Sequence, residues 1–364
     1  MELKIKTCDL RSMVDKAIKC SSNNKLIPLT SLMNIKVSQN VLSVTTTDAT
    51  NYFYAYAKDK VNCEDFEISV VADLFTKLIQ KTTSDFVELK LEDNVLKIKG
   101  NGVYTMALPL DENGSVIKFP VKDDFKFGPN TQVIKETTIQ TILATNKAAL
   151  AISVELPSLT AYYCGDKVVT SDSYKICSTA IKVFDKPMLI TASLMELLGV
   201  LDTEDINVSI SDKNIMFRTP SEKIYAPIAE GIDTFPIDAI NGLLDQEFVS
   251  KCVVPRAAIL SVIDRLCLFV SPYDKKGIYL TFTPEGLMLS SKKSSGTETV
   301  PYMASENFQN YTCLIDVEMF KSQIATQSSE KLELYYGSPT AIKTVNNNIT
   351  QIIALMEDDR VAQE

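Results

Sequence analysis

The stretch ISVVADLFTKLIQKTTSDFVELKLEDNVLKIK, residues 68–99, reads as a strand end, a short helix, a polar turn and two alternating strands. The same grammar returns in LITASLMELLGVLDTEDINVSISDKNIMFR, residues 189–218, and in LIDVEMFKSQIATQSSEKLELYYGSPTAIKTV, residues 314–345. With Phe75 set on Met195 and Phe320, the copies lie 120 and 125 residues apart. The alternating strands then fall into register at 87–91, 206–210 and 332–336, and the polar turns at 92–94, 211–213 and 337–339 coincide. A fixed period of this length marks a repeated structural unit, and period-two alternation gives each strand one buried face.

Working outward, each copy is preceded by a longer amphipathic helix. Its apolar stripe is Leu10, Met13, Val14, Ala17 and Ile18 in the first, Ile139, Ile142, Leu143 and Leu150 in the second, and Ile259, Val262, Ile263, Leu266 and Val270 in the third. These helices lead into strands expected at 32–37 with 41–45, at 159–163 with 167–170, and at 277–282 with 287–290. Linkers are expected at 111–129, rich in Asp, Gly and Pro, and around 230–246. The expectation is an α+β chain of three repeated domains, each with two helices and about eight strands, at residues 1–128, 129–245 and 246–364.

Composition narrows the chemistry. The 364 residues are 45% hydrophobic and 23% charged, as in ordinary globular chains, and the chain contains no histidine. That removes the commonest general base, the triads built on histidine and most zinc sites. The eight cysteines lie at least twelve positions apart, so no paired redox or zinc motif exists, and buried free thiols in a reducing cytoplasm are expected. The longest apolar runs are too short to span a bilayer, and Glu2 and Lys4 within an alternating stretch do not read as a signal peptide. No catalytic, metal-ligating or cofactor-binding set is expected, and binding is favoured over catalysis.

The net charge is −9, from 37 Lys and Arg against 46 Asp and Glu. Taken alone this opposes a conventional nucleic-acid binder, yet an average says nothing of a local basic stripe. The first helix places Ser12, Lys16 and Lys19 opposite its apolar stripe, with Arg11 and Asp15 at the flanks, and Lys25 follows. The short helix puts Lys77 and Lys81 outside Leu74, Phe75, Leu78 and Ile79. Lys147, Arg265 and Lys321 are the corresponding cations of the other repeats. Any one of these reads as an ordinary solvated residue; their repetition suggests a surface that meets phosphates without reading sequence. The second repeat is poor in such cations, since Thr141, Ala144, Thr145 and Ala148 are uncharged.

A threefold repeat of two helices and eight strands, with cations on the helices of an acidic chain, resembles the bacterial sliding clamp, the beta subunit of the replicative DNA polymerase. LKIKTCDL near the N-terminus, PLTSL at 28–32, TTD at 46–48, VIDRLCLF at 262–269 and Phe235-Pro236 carry the resemblance, which runs over essentially the whole chain. It implies a homodimer closing head to tail into a six-domain ring, with helices lining a hole through which double-stranded DNA threads without sequence-specific contact. It further implies a tethered DNA polymerase, a clamp loader that supplies the ATP chemistry, and a cytoplasmic, non-catalytic processivity factor.

The resemblance also implies a hydrophobic pocket for partner peptides. The family's T-D-G-H-R-L segment falls on Ser171, Asp172, Ser173, Tyr174, Lys175 and Ile176. Leu156, Pro236, Ile240 and Met319 match further pocket positions, and the closing V-V-M-P-M falls on Ile352, Ile353, Ala354, Leu355 and Met356. Gly-His-Arg has become Ser-Tyr-Lys, an arginine has become Ile240, and Met-Pro-Met has become Ala-Leu-Met. The chain then runs on from Glu357 to Glu364, read as a disordered acidic tail or as a flank that repels acidic peptides and recruits basic ones. Ring closure requires exposed edge strands, for which 104–108 and 277–282 are candidates.

Two other functions compete. An enzyme working through carboxylate and lysine finds no focus, since Asp111-Glu112 and Glu204-Asp205 sit in turns without a glycine-rich phosphate loop. A scaffolding ring or arc of the same repeats that no longer holds DNA is motivated by the weak cation count of the second repeat.

Overall fold

A computed structural model describes residues 2–119, 132–149, 155–269, 276–292 and 295–358. In the first repeat these form β1 (Glu2–Lys6), α1 (Thr7–Ala17), β2 (Leu32–Ser38), β3 (Val41–Thr47), β4 (Tyr52–Tyr56), β5 (Phe66–Val71), α2 (Ala72–Lys81), β6 (Phe86–Glu92), β7 (Val95–Lys99) and β8 (Val103–Ala107). The second contains β9 (Gln132–Lys135), α3 (Glu136–Thr145), β10 (Ala161–Cys164), β11 (Val168–Ser171), β12 (Lys175–Thr179), β13 (Met188–Thr191), α4 (Ala192–Leu198), β14 (Asp205–Ile210), β15 (Asn214–Arg218) and β16 (Glu222–Pro227). After a helix α5 (Ile237–Leu244) comes the third. It holds β17 (Ser250–Pro255), α6 (Arg256–Leu266), β18 (Gly277–Thr283), β19 (Gly286–Ser291), β20 (Thr297–Val300), β21 (Ala304–Glu306), β22 (Tyr311–Asp316), α7 (Val317–Ala325), β23 (Lys331–Tyr336), β24 (Ala341–Asn346) and β25 (Ile349–Ala354). The expected strand–helix–strand–strand order recurs as β5-α2-β6-β7, β13-α4-β14-β15 and β22-α7-β23-β24.

The chain divides into two compact units. Met1–Ile139 with Ser193–Ile228 form one, and Gln140–Ala192 with Ala229–Glu364 the other. The first holds a sheet ordered β1-β6-β7-β8 and an eight-stranded sheet ordered β5-β2-β3-β4-β16-β15-β14-β9. Here the β4–β16 ladder, Tyr52–Ala55 on Glu222–Tyr225, joins strands from the first and second repeats. The second unit holds a nine-stranded sheet ordered β13-β10-β11-β12-β25-β24-β23-β17-β21 and a sheet ordered β20-β19-β18-β22. Its β12–β25 ladder joins the second and third repeats, with Ile176 opposite Ile352. Antiparallel pairing lets one sheet face stay wet while the other meets the helices.

The apolar stripes lie where the helical period places them. Leu10, Met13, Val14 and Ala17 of α1 are buried, as are Ile259, Val262, Ile263 and Leu266 of α6. Ile139 and Ile142 are buried in α3, whose last residue is Thr145, while Leu150 and Val270 lie outside the described residues. Three expectations are corrected. Leu74 is 55% exposed, because α2 turns Ala72, Phe75, Thr76 and Ile79 inward and Leu74 stands about 100° from Phe75 on the helical wheel. Leu159 and Thr160 belong to a tight helical turn, Pro157–Thr160, because Pro157 presets the first φ of that turn; Pro28–Ser31 repeats the device. The stretch 277–282 is no edge, since β18 is paired on both sides, with β19 and β22; the edges of that sheet are β20 and β22. β8 does lie at the edge of its sheet, with Val103 and Tyr104 exposed, and ends at Ala107, one residue short of Leu108.

All eight cysteines are free thiols; Cys20, Cys164, Cys177, Cys252 and Cys313 are buried, whereas Cys8 is exposed, unlike the expected buried set. Burial pushes the Cys177 thiol up to about 11. Among the described residues no helix is long and apolar enough to cross a membrane.

The β18–β19 hairpin depends on Gly286, whose φ of +154° is open to glycine and whose missing Cβ would meet the Val300 carbonyl oxygen at 2.5 Å. Gly286→Ala is expected to lower the unfolding free energy by about 2 kcal/mol, read as a lower urea midpoint at unchanged slope.

Candidate partner-peptide groove and helix cations

The expected groove residues all lie within the second unit, and the sheet decides which of them meet. Asp172 organises the β11–β12 turn: its Oδ1 accepts from the backbone N–H of Tyr174 at 3.0 Å and of Lys175 at 2.7 Å. This holds Ser173 at φ +75°, in the left-handed region that favours glycine. Ser171 is buried and accepts from the Ser173 N–H, Tyr174 is 64% exposed, and Lys175 lies 3.5 Å from the Asp172 carboxylate. The Tyr174 carbonyl accepts from Ala354 N–H at 2.7 Å, so the turn is stapled to the end of β25.

Ile176, Ile240 and Ile352 come together in one buried cluster with Leu159, Phe235 and Leu244. Phe235 anchors the linker by stacking on Tyr163 at 5.2 Å between ring centroids, and Pro236, exposed, stands at the start of α5. Along β25 the pleat alternates: Ile352 enters this cluster, whereas Ile353 enters, and Leu355 packs against, a separate core built from α6, α7 and the third-repeat strands. Leu355 therefore stands apart from the groove face that Ile352 and Ala354 share. Leu355 N–H donates to Thr340 O at 2.8 Å and Met356 N–H to Leu314 O at 2.9 Å, which fixes the chain beyond β25. Leu156 is 43% exposed ahead of its turn, and Met319 is half-buried in the first turn of α7, where Asp316 caps the helix by accepting from its N–H. Of the set, Leu156, Ser173, Tyr174 and Pro236 are exposed, Lys175, Met319, Ala354, Leu355 and Met356 half-buried, and Ser171, Ile176, Ile240 and Ile352 buried; Met356 lies on the third-repeat side, beside Gly277 and Leu314.

Sequence reasoning missed α5, although Ile237, Ile240 and Leu244 at i, i+3 and i+7 were a readable helical stripe. It also missed Lys343, whose Nζ donates to the Leu244 carbonyl at 2.9 Å and lies 5.4 Å from the Phe248 ring. Burial lowers the pKa of this lysine while the charge of Asp245 opposes the shift. The ammonium ends the helix that carries Ile240 and ties it to β24. Of the tail, Glu357 is exposed and Asp358 accepts from the Tyr279 hydroxyl at 3.0 Å; residues 359–364 lie outside the described residues.

The helix cations differ sharply in their surroundings. In the first unit Lys16 bridges Asp202 at 2.6 Å and Glu222 at 2.7 Å, with Glu222 only 5% exposed and also bonded to Thr219. Burial alone would lower the Lys16 pKa; the two carboxylates outweigh it and raise the value. The Lys16 bond in turn holds Asp202 below its ordinary value. Arg11 donates to the Thr82 carbonyl, tying α1 to the end of α2, and Lys77 pairs with Asp73 at 2.7 Å. In the second unit Arg265 grips Glu298 through two bonds of 2.7 and 2.6 Å, and Lys321 meets Asp264 at 2.6 Å. Lys19, Lys25, Lys81 and Lys147 are exposed and have no carboxylate within 4.0 Å among the described residues.

Lys16 is accordingly a strut for a buried acid. Lys16→Met is expected to destabilise the protein by about 3 kcal/mol, because it strands Glu222, and adding Glu222→Gln should recover much of the loss. The raised Lys16 value and lowered Asp202 value fix the pH window. The difference between wild type and K16M is full between the ordinary carboxylate and lysine ranges. It shrinks as pH rises through the raised lysine value, and again as pH falls through the lowered Asp202 value. Urea titrations at several pH values measure it.

Comparison with known proteins places this architecture. Residues 1–113 match the family described as DNA polymerase III beta subunit, N-terminal domain. No curated protein matches the sequence. Among solved structures, the DNA polymerase III beta subunit of Thermotoga maritima superposes with a TM-score of 0.86 at 14% identity, covering 98% of this chain and 99% of that one. The beta subunit from the DNA polymerase of Streptococcus pyogenes gives 0.84 at 15% identity, over 98% and 100%. The DNA polymerase sliding clamp of Bacillus subtilis gives 0.82 at 15%, over 98% and 99%. The first 113 residues thus match the model of that N-terminal domain, and the chain has the fold of the bacterial sliding clamps.

Proposed function

We propose that this chain is a DNA sliding clamp: it encircles duplex DNA and tethers a DNA polymerase, without itself making or breaking bonds. The observation that carries the reading is the threefold β-α-β-β repeat whose strands continue across repeat boundaries, in a chain that spans nearly all of three bacterial clamps. Residues 1–128, 129–245 and 246–364 are its three clamp domains, and two chains make a six-domain ring. β8, with Val103 and Tyr104 exposed on an unpaired edge, and β20 or β22 are the strands available for closure. The groove floored by Ile176, Ile240 and Ile352 takes short apolar peptides from a polymerase and from a clamp loader, in the cytoplasm. Linkage of this kind holds the partner near the DNA at high effective concentration.

Light scattering on a sizing column is expected to give twice 40.4 kDa across protein concentrations, and Tyr104→Glu should shift that mass to the monomer with the fold intact. The protein should remain on circular duplex DNA and run off linear DNA. Leu156→Asp should weaken capture of a polymerase-derived apolar peptide by at least about tenfold while leaving the mass unchanged. A monomer at all concentrations that binds circles and linear DNA alike would favour the arc-like scaffold.

A further inference from the structure

We propose that Asp73, Asp264 and Glu298 set how loosely this chain holds DNA, by neutralising the helix cations that would otherwise meet phosphates. The inference rests on the clamp reading and goes beyond it, because it assigns a role to carboxylates rather than to the cations. The helices themselves carry no excess of positive charge. α1 sets Asp9 and Asp15 against Arg11 and Lys16, and α2 sets Asp73 against Lys77 and Lys81. α3 and α4 contribute only Glu136 and Glu196, α6 sets Asp264 against Arg256 and Arg265, and α7 sets Glu318 against Lys321. Cations and carboxylates balance one for one over the six repeat helices.

Geometry strengthens the count. Lys77, Arg265 and Lys321 each have a carboxylate at 2.7 Å or less. Such a pair presents a dipole, whose field falls off faster than that of a bare ammonium and is further screened beyond a Debye length of about 8–10 Å. All three pairs are solvent-exposed, where ion pairs add little to folding stability, so structural need does not account for them. The Lys16 carboxylates are different: Glu222 is buried, and that bridge belongs to the fold. What remains to attract phosphate from the sequence-predicted set is Lys19, Lys25, Lys81 and Lys147, each exposed and without a carboxylate at bonding distance among the described residues.

The test compares wild type with the triple variant Asp73→Asn, Asp264→Asn, Glu298→Gln, which keeps side-chain shape and removes charge. Binding to a fluorescent linear duplex of mixed sequence is followed by anisotropy over a range of sodium chloride concentrations. The triple variant is expected to bind at least about tenfold tighter at low salt, with a plot of log K against log salt steeper by up to about 0.9 for each freed cation that engages a phosphate. Lys19→Ala with Lys81→Ala should move both readings the other way. Equal affinity and equal slope for wild type and triple variant would overturn the proposal. Retention on circular duplex, after incubation long enough for subunits to exchange, separates the two readings. Wild type held on circles with an unchanged triple variant refutes only the role of the carboxylates. Failure of both proteins to bind any DNA refutes the clamp reading and this inference together.

Discussion

The antiparallel ladder between Lys175–Thr179 and Ile349–Ile353 is the contact on which the candidate groove depends. It brings together residues 170 or more positions apart and aligns their ends, so that the Tyr174 carbonyl meets the Ala354 N–H and the turn and the closing segment share one border. Beneath it, Gln351 donates to Thr326 while its side-chain oxygen accepts from Gln327, which also reaches Thr344. A buried polar set of this kind fixes register, since a slip by one residue would exchange Ile352 for Ile353 and strand those amides. The β4–β16 ladder plays the same part in the other unit. Both ladders consume strand edges that would otherwise be open to unwanted pairing.

What was legible in the sequence was local. Alternation at 87–91, 206–210 and 332–336 and the stripes of α1 and α6 follow from periods of two and 3.6 residues, which a single segment carries by itself. What was not legible was long-range. No local pattern says that β12 finds β25, or that β18 lies between two partners rather than at an edge. The ion pairs fail for the same reason: Lys16 reaches Asp202 and Glu222, and Lys321 reaches Asp264, across separations that a helical wheel cannot display. A wheel shows that a lysine points away from the core; the partner that neutralises it is a property of the fold.

The β11–β12 turn shows how side chains can specify a backbone conformation. Ser173 holds φ +75° because the Asp172 carboxylate collects the next two N–H groups and the Ser171 hydroxyl takes that of Ser173 itself. The turn is thus specified by side-chain acceptors in place of glycine's freedom. Its rim carries Tyr174 and Lys175, and the floor of Ile176, Ile240 and Ile352 is branched aliphatic. On the proposed reading, a bound peptide would satisfy its polar atoms at this rim and bury its apolar anchors on the floor.

A protein that grips DNA by charge needs a net positive face, and its hold then decays steeply with salt. A ring needs only to be closed, because topology does the holding and attraction beyond a minimum becomes friction. On the proposed clamp reading, a chain of net charge −9 whose repeat helices balance their charges suits the second mode and not the first. Under that reading the acidity is compatible with a nucleic-acid partner that is enclosed and still free to slide.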